Sequence, residues 1–266
     1  TFSSFVIGPN SDFAFTAARS IVDNPCGLHN PLVISGASGM GKTHLMQAIG
    51  NAILEKDEDA QVLYLTSEDF TNDYLEALTR HGEGLNSFRR KYRKADVLLI
   101  DDVQFLADKD KTQAEFFHTF NALLSSGKQI VLTTDCAPTM LTALDTRLTS
   151  RFEQGLNVVL NPPGLETRIA ILRSRCREWR TPYISDEVIN FLAEHITCSV
   201  RRLTGALVTL NTFATFSGRK PTVADAREQL KSFLDMERAD KSFSVESIQN
   251  AVAREFDVRV ADLNGR

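Results

Sequence analysis

The chain has 266 residues, of which 42% are hydrophobic and 24% are charged, and its formal net charge is −4. At roughly 150 residues per domain this length predicts two domains, and no apolar run approaches the roughly 20 residues that a membrane span needs. The acidic balance excludes a uniformly basic nucleic-acid coat but not a local basic face. Four widely spaced cysteines are typical of a reduced cytoplasmic protein, and a start without Met or a signal-like segment indicates a fragment of a longer chain.

Strand and helix patterns alternate along the first part of the chain. Continuous apolar runs are typical of strands buried on both faces, and they predict strands over 30–35, 61–66, 96–101, 129–134 and 156–160. Helical spacing of apolar residues predicts intervening helices over 42–55, from the end of the second strand through Leu78, and over 112–124. This alternation predicts an α/β fold with a parallel sheet flanked by helices.

The pattern changes to helices alone after residue 163. Apolar residues recur at helical spacing, and Thr222 with Asp225 forms a capping box that opens another helix. A further helix is predicted over 245–256. We therefore expect a nucleotide-binding α/β domain over 1–163, a small helical lid domain over 164–240, and over 241–266 a connecting helix and the start of another domain.

The most specific motif is a glycine-rich loop. The run Gly36-Ala37-Ser38-Gly39-Met40-Gly41-Lys42-Thr43 satisfies G-x-x-x-x-G-K-[ST] and lies between a predicted strand and a predicted helix. Glycines let backbone N–H groups curl around a phosphate, and the following helix directs its positive end to the same place. Lys42 would reach the β- and γ-phosphates and Thr43 would ligate Mg²⁺. The motif predicts a nucleoside-triphosphate site.

Two further strand ends carry polar residues that fit such a site. The third strand ends in Asp101 and Asp102, and an acidic strand end near a phosphate loop is where the Mg²⁺-binding carboxylate lies. Asp101 would hold the metal, and Asp102 could orient and polarise the attacking water. The fourth strand ends in Thr133-Thr134-Asp135, where a polar residue, Asp135 in our assignment, can sense the γ-phosphate.

Longer runs around these motifs resemble a known family. The chain is similar over residues 1–263 to the AAA+ ATPase domain of the bacterial chromosomal replication initiators, the DnaA family. The resemblance is carried most specifically by IDDVQF at 100–105 and EFFHTFNAL at 115–123, with support from RLTSRF at 147–152. It implies an AAA+ P-loop fold and an ATPase whose hydrolysis is slow and regulatory.

The resemblance also assigns roles to individual residues. It implies that Val6, Ile7, His44 and Arg201 contact ATP or ADP in addition to the phosphate loop. Arg151 looks like the arginine finger that reaches the nucleotide of a neighbouring subunit, and Arg147 would support the same interface. Positions 67–94 correspond to an initiator-specific helical insertion, and Leu75 and Lys111 match positions that grip single-stranded origin DNA.

A local basic segment is a second candidate for DNA contact. Six Lys and Arg residues against Glu83 give positions 80–94 a charge of +5. Such a stripe can bind a phosphate backbone without reading sequence, although a solvated helix face is an equally good interpretation.

The function implied by the resemblance is replication initiation. ATP would bind between the α/β and lid domains, and ATP-bound copies would assemble head to tail on origin DNA, promote duplex opening and engage the replicative helicase, until hydrolysis switches them off. The last residues resemble the helix that opens a duplex-DNA-binding domain. Two alternatives stay open: a helicase-loader-type AAA+ ATPase and a nucleotide-locked regulatory paralogue. The family's usual Arg-Glu-Leu-Glu reads Arg201-Arg202-Leu203-Thr204 here, which inverts the local charge.

Overall fold

We describe the protein from a computed structural model. The structure describes residues 1–27, 29–80, 83–180, 184–242, 249, 252 and 253. The chain forms two compact units, Thr1–Gly164 and Leu165–Arg266.

A five-stranded parallel sheet forms the centre of the first unit. The strands are β1 (Leu32–Ser35), β2 (Val62–Thr66), β3 (Val97–Asp101), β4 (Gln129–Thr134) and β5 (Leu156–Val159). Their order across the sheet is β2-β3-β4-β1-β5, with every neighbouring pair parallel. In this register Thr66 pairs with Asp101 and Ser35 pairs with Thr134. The strand ends that carry the predicted polar residues therefore meet at one edge of the sheet.

The first helix of this unit precedes β1, and the other helices lie between strands along the chain. They are α1 (Asp12–Asp23), α2 (Lys42–Lys56), α3 (Ser67–Thr79), α4 (Gly84–Arg93), α5 (Asp110–Ser125) and α6 (Thr146–Glu153). A reciprocal capping box between Thr66 and Asp69 begins α3 immediately after β2. The predicted parallel α/β architecture is confirmed, and the sequence analysis had no helix at α1.

Two apolar cores lie on the two faces of the sheet. Alternate strand residues serve opposite faces, since Leu98 and Ile100 belong to one core whereas Val97 and Leu99 belong to the other. The first core is aromatic and includes Phe70, Tyr92, Phe116, Phe120 and Phe152, all with no exposed surface. Full burial of such a side chain contributes about 1.5–3 kcal/mol. The aromatic core joins α3, α4, α5 and α6 to the sheet.

The described part of the second unit is helical. Its helices are α7 (Leu165–Glu178), α8 (Asp186–His195), α9 (Val200–Ser217), α10 (Val223–Gln229) and α11 (Lys231–Ser242). Side chains of Ser185, Ser199 and Thr222 cap α8, α9 and α10 at their N-termini. The helix predicted over 245–256 and the start of a further domain fall almost wholly outside the described residues.

No helix in the described part of the chain has the length and hydropathy required to cross a membrane.

Candidate functional site

The glycine-rich loop connects β1 to α2 and requires glycine for its shape. Gly36, Gly39 and Gly41 have positive φ angles of 151°, 81° and 100°. A Cβ atom added to Gly36 would lie 2.5 Å from the carbonyl oxygen of Leu160, so the backbone just after β5 leaves no room for a side chain. The loop ends at the N-terminus of α2, where the first N–H groups of a helix have no partner within the helix. A curled backbone and a positive helix end thus meet at one place.

Lys42 lies against this loop. Its side chain is 6% exposed, and its Nζ donates to the carbonyl oxygens of Gly36 at 2.6 Å and Ala37 at 3.2 Å. A buried ammonium is tolerated only where it is hydrogen bonded. The charge is therefore held at the loop rather than in solvent.

Asp101 joins three strands and the phosphate-loop helix through hydroxyl groups. Its Oδ2 accepts from Thr43 Oγ1 at 2.8 Å and from the Tyr64 hydroxyl at 3.4 Å, and its Oδ1 accepts from Thr133 Oγ1. The carboxylate is 4% exposed. No Lys, Arg or His forms an ion pair with it among the described residues. A carboxylate and a hydroxyl side by side are hard oxygen ligands of the kind that Mg²⁺ prefers.

These residues fit the expected ion. In the described part of the chain, no three His, Cys, Asp or Glu side chains converge on one metal position. A phosphate-loop site needs no such cluster, because Thr, Asp and the phosphate oxygens complete the coordination. Thr43 and Asp101 are the residues that would hold Mg²⁺.

Asp102 has an unusual backbone conformation. Its φ and ψ are 56° and 57°, in the left-handed region that few non-glycine residues occupy. The conformation is held on both sides: the Asp102 N–H donates to Thr133 Oγ1 at 2.8 Å, and its carbonyl oxygen accepts from Ser67 Oγ at 2.7 Å. Gln104 Nε2 donates to Asp102 Oδ1 at 3.1 Å. The two carboxylates therefore have separate hydrogen-bond partners.

Several of these contacts were not found from the sequence. Tyr64, Ser67, Thr133 and Gln104 hold the two acids. Thr133 and Gln104 lay in motifs that the sequence analysis named, but neither had been assigned this contact. Burial, with the nearby Asp101 carboxylate, raises the pKa of the Tyr64 hydroxyl, so this group stays a hydrogen-bond donor. Asp135 follows β4 directly and is exposed.

The N-terminal segment contacts the start of α2. Ser4 Oγ and His44 Nε2 are 2.8 Å apart, and the ring edge of Phe5 meets the His44 ring at a centroid distance of 5.4 Å. These contacts bring Val6 and Ile7 near the beginning of α2. Ile7 is 47% exposed although it is apolar.

The predicted interface arginines lie on α6. The Arg147 guanidinium pairs with Asp145 at 2.6 Å and lies 5.1 Å from the ring centroid of Phe117. Arg151 Nη1 donates to Gln154 Oε1 at 2.8 Å. The structure places neither arginine in hydrogen-bond contact with the phosphate loop of its own chain. Arg201 belongs to the other unit, where it is the second residue of α9 and is exposed.

The predicted DNA contacts are exposed, but the basic segment is largely neutralised. Leu75 on α3 is 51% exposed, and Lys111 is exposed in the first turn of α5. Four of the six cations in the 80–94 segment are paired with acids, in the pairs Arg80–Glu76, Arg89–Glu115, Lys91–Asp73 and Arg93–Glu115. These ion pairs leave Arg90 and Lys94 as the cations of the segment without an ion pair among the described residues. A DNA contact by this segment stays a prediction.

Fold and site together define a class. A parallel sheet carries a glycine-rich loop that leads into a helix, a lysine held at that loop, and a threonine bonded to the acid at the end of β3. The chain is a P-loop ATPase-type protein of the AAA+ class.

Comparisons with known proteins identify the family. The family model described as the bacterial DnaA ATPase domain matches residues 1–159. A curated chromosomal replication initiator protein DnaA of Methylacidiphilum infernorum is 45% identical over 264 residues, which are 99% of this chain and 57% of that protein. The chain belongs to the DnaA family, in its ATPase domain.

Solved structures agree with this assignment. The crystal structure of domain III of the Thermotoga maritima replication initiation protein DnaA has a TM-score of 0.84 and 45% identity, covering 88% of this chain and 96% of that one. A replication initiator DnaA bound to AMPPCP and single-stranded DNA has a TM-score of 0.74 and 33% identity, covering 100% of this chain and 76% of that one. The chain spans a little over half the length of the curated relatives it matches, 56–57%.

Proposed function

We propose that this chain binds ATP with Mg²⁺ and hydrolyses the ATP slowly as part of a chromosomal replication initiator. The observation that carries the proposal is the 2.8 Å bond between Thr43 and Asp101, which joins the first turn of the phosphate-loop helix to the acidic strand end. When bound, Mg²⁺ would polarise the phosphate oxygens and offset their developing charge. Asp101 and Thr43 would hold it.

The surrounding residues have distinct proposed roles. Backbone N–H groups of the glycine-rich loop and the Lys42 ammonium bind phosphate, and Asp102 orients and polarises the attacking water. Asp135 senses the γ-phosphate. The Thr133 hydroxyl holds the Asp101 carboxylate and the Asp102 backbone, and the Tyr64 hydroxyl also holds Asp101, so the two acids are positioned before ATP binds.

Further nucleotide contacts are proposed on the strength of the family. Val6 and Ile7 contact the base, and the Ser4–His44 and Phe5–His44 contacts tie their segment to α2. Arg201 contacts the phosphates, and residues 164–240 act as a helical lid domain in the same cycle.

We also propose that ATP-bound copies assemble head to tail. Arg151 of one copy reads the γ-phosphate held by the next, and Arg147 supports that contact. A guanidinium suits the task because its planar fork pairs with phosphate oxygens in two places. Since unlike surfaces meet, the assembly does not need to close into a ring.

Single-stranded origin DNA is the proposed partner of this assembly. A relative that is 33% identical was solved with AMPPCP and single-stranded DNA. Leu75 and Lys111 are exposed here and offer one apolar and one cationic contact, a combination that binds a strand without reading sequence. In the whole protein we propose origin duplex opening, contact with the replicative helicase, and action in the cytoplasm.

The test of the assembly is sedimentation with ATP and with ADP. Arg151→Ala is expected to keep ATP affinity and to lose the ATP-dependent oligomers. Arg173→Ala removes an exposed ion pair with Asp186 in the second unit and is the matched control, which should assemble normally. Unchanged assembly of Arg151→Ala contradicts the finger assignment. Release of phosphate by the wild-type chain excludes a nucleotide-locked paralogue, and helicase binding without any DNA binding would favour a loader.

A further inference from the structure

A buried carboxylate in the second unit has no role in the function proposed above. Glu237 on α11 is 2% exposed. Its Oε2 accepts from the backbone N–H of Thr197 at 2.9 Å and of Cys198 at 3.1 Å, and lies 3.4 Å from Thr197 Oγ1. These donors all belong to the short segment between α8 and α9. One side chain of α11 thus fixes the backbone that leads into α9.

Arg202 completes what we call the Glu237 network: Glu237, Asp240, Arg202 and the backbone of 197–198. Arg202 Nη1 lies 3.4 Å from Glu237 Oε1 and pairs closely with Asp240. Burial works to raise the pKa of Glu237, but the donors from Thr197 and Cys198 and the nearby Arg202 charge hold it below its usual value. Glu237 is therefore ionised and neutralised at neutral pH. The charge inversion at Arg202, relative to the family pattern, is matched by two acids on α11.

The Glu237 network lies next to Arg201, the residue that we propose contacts the nucleotide phosphates. Ser199 caps α9, Val200 is the first helical residue, and Arg201 is the second. A residue in the first turn of a helix takes its position from the cap and from the segment that precedes it. Arg202 is directed to α11 by its ion pairs. Arg201 is the adjacent, exposed residue in the same turn of α9.

We propose that Glu237 and Arg202 are positioning residues for Arg201, and that α11 thereby adjusts nucleotide affinity. The proposal rests on the proposed contact between Arg201 and the nucleotide phosphates. With the network intact, the first turn of α9 is fixed and Arg201 binds without an ordering cost. When α11 moves, Thr197 and Cys198 lose their acceptor and Arg201 loses its fixed base. Because coupling is reciprocal, bound ATP in turn favours the position of α11 that makes the network.

A purely structural role makes a different prediction, and the chain provides a control for it. Arg219 pairs with Asp225 at 2.6 Å at the start of α10, in the same unit, and neither residue belongs to the Glu237 network. If the Glu237 network only holds the helices together, breaking either ion pair should have similar consequences for ATP binding.

The experiment measures ATP affinity and amide hydrogen exchange in the full chain. The variants are Arg201→Ala, Glu237→Gln, the double variant of these two, Arg202→Ala and the control Arg219→Ala. Glu237→Gln is expected to weaken ATP binding about tenfold, within the usual range of coupling between sites. It should also speed exchange at the amides of Thr197 and Cys198. The double variant should bind ATP no more weakly than Arg201→Ala alone, because Glu237 acts through Arg201.

Each outcome separates the possibilities. If Arg201→Ala leaves ATP affinity unchanged, the proposed phosphate contact is wrong and the positioning role falls with it. If Arg201→Ala weakens binding but Glu237→Gln resembles Arg219→Ala, or if the double variant is weaker than either single one, only the positioning role is overturned. Should Glu237→Gln fail to fold, Arg202→Ala, which removes a one-third exposed partner, is expected to show the same pattern at about threefold.

Discussion

Two carboxylates of the first unit are equally buried but have opposite surroundings. Asp101 and Glu115 are both 4% exposed. Glu115 on α5 accepts two hydrogen bonds from Arg89 of α4, at 2.8 and 2.7 Å, and Arg93 lies 3.7 Å away. Asp101 accepts from the hydroxyls of Thr43, Thr133 and Tyr64. One acid is neutralised by an opposite charge, whereas the other is held by neutral donors.

The comparison assigns a structural role to the charge of Glu115 and a functional role to the charge of Asp101. Glu115 and Arg89 neutralise each other, and their pair ties α4 to α5. A carboxylate held by hydroxyls keeps its charge at a cost, since burial of an ion without an opposite partner is unfavourable. That cost is offset when a cation binds. In the basic segment at 80–94, likewise, four of the six cations form ion pairs with acids of the fold.

The largest expected effect is on hydrolysis. Asp101→Asn removes the charge but keeps the size of the side chain, so we expect ATP turnover to fall by about 10²–10³-fold, as when one preorganised electrostatic group is lost. Phosphate release at saturating ATP measures it. Glu115→Gln is the comparison variant and should keep turnover within about threefold. A mild effect of Asp101→Asn would contradict the assignment of the metal-holding carboxylate.

The next effect is on stability. Here we expect Glu115→Gln to have the larger effect and Asp101→Asn the smaller one. Glu115→Gln leaves Arg89 without its partner, and we expect the free energy of unfolding to fall by about 2–3 kcal/mol, less than the full cost of breaking a buried pair because Arg89 is 40% exposed. In the absence of nucleotide and Mg²⁺, Asp101→Asn should change it by less than about 1 kcal/mol or increase it. Urea unfolding compares the two. Equal destabilisation by both substitutions would remove the distinction between them.

The stability that Glu115 contributes should depend on pH. Hydrogen bonds from Arg89 hold the pKa of Glu115 below its usual value. A carboxyl with a lowered pKa contributes stability that is complete above the unfolded pKa of about 4.3 and is lost as pH falls through the folded pKa. The stability difference between wild type and Glu115→Gln should therefore be largest near pH 6 and shrink towards pH 3. A difference that stays constant over this range would show that the charge of Glu115 is not its source.

The smallest expected effect concerns an exposed pair in the second unit. Arg219 is 54% exposed and pairs with Asp225, which the Thr222 cap also holds. Arg219→Ala should lower the free energy of unfolding only slightly, as is usual for solvent-exposed pairs. Thermal unfolding measures it, and a loss as large as that of Glu115→Gln would show that this pair is not a neutral control.

Local patterns in the sequence were sufficient for the architecture and for the loop. The apolar run at 97–101 and the glycine spacing at 36–41 are patterns among residues that are close in sequence. The parallel sheet and the position of Lys42 at the loop could therefore be predicted. Helix α1 could also have been found, because Ala14, Ala17, Ala18, Ile21 and Val22 follow helical spacing. Small residues weaken that signal.

Contacts between distant segments could not be predicted in the same way. The hydroxyl of Tyr64 reaches Asp101 only because β2 and β3 are neighbours in the sheet. The Arg89–Glu115 pair depends on how α4 packs on α5, and 26 residues separate its two partners. Whether a cation is open to solvent or neutralised is a property of such packing. The charge of the 80–94 segment in the sequence therefore did not show that four of its six cations form ion pairs.

Ligand-induced stabilisation tests most directly whether this site binds ATP with Mg²⁺. Urea unfolding of the wild-type chain with Mg²⁺ and ATP at about 100 times the dissociation constant should show a gain of about 2.7 kcal/mol over the chain alone. Lys42→Ala should show almost no gain under the same conditions, because the buried ammonium at the loop is missing. An equal gain in Lys42→Ala, or no gain in the wild type, would contradict the assignment of the site.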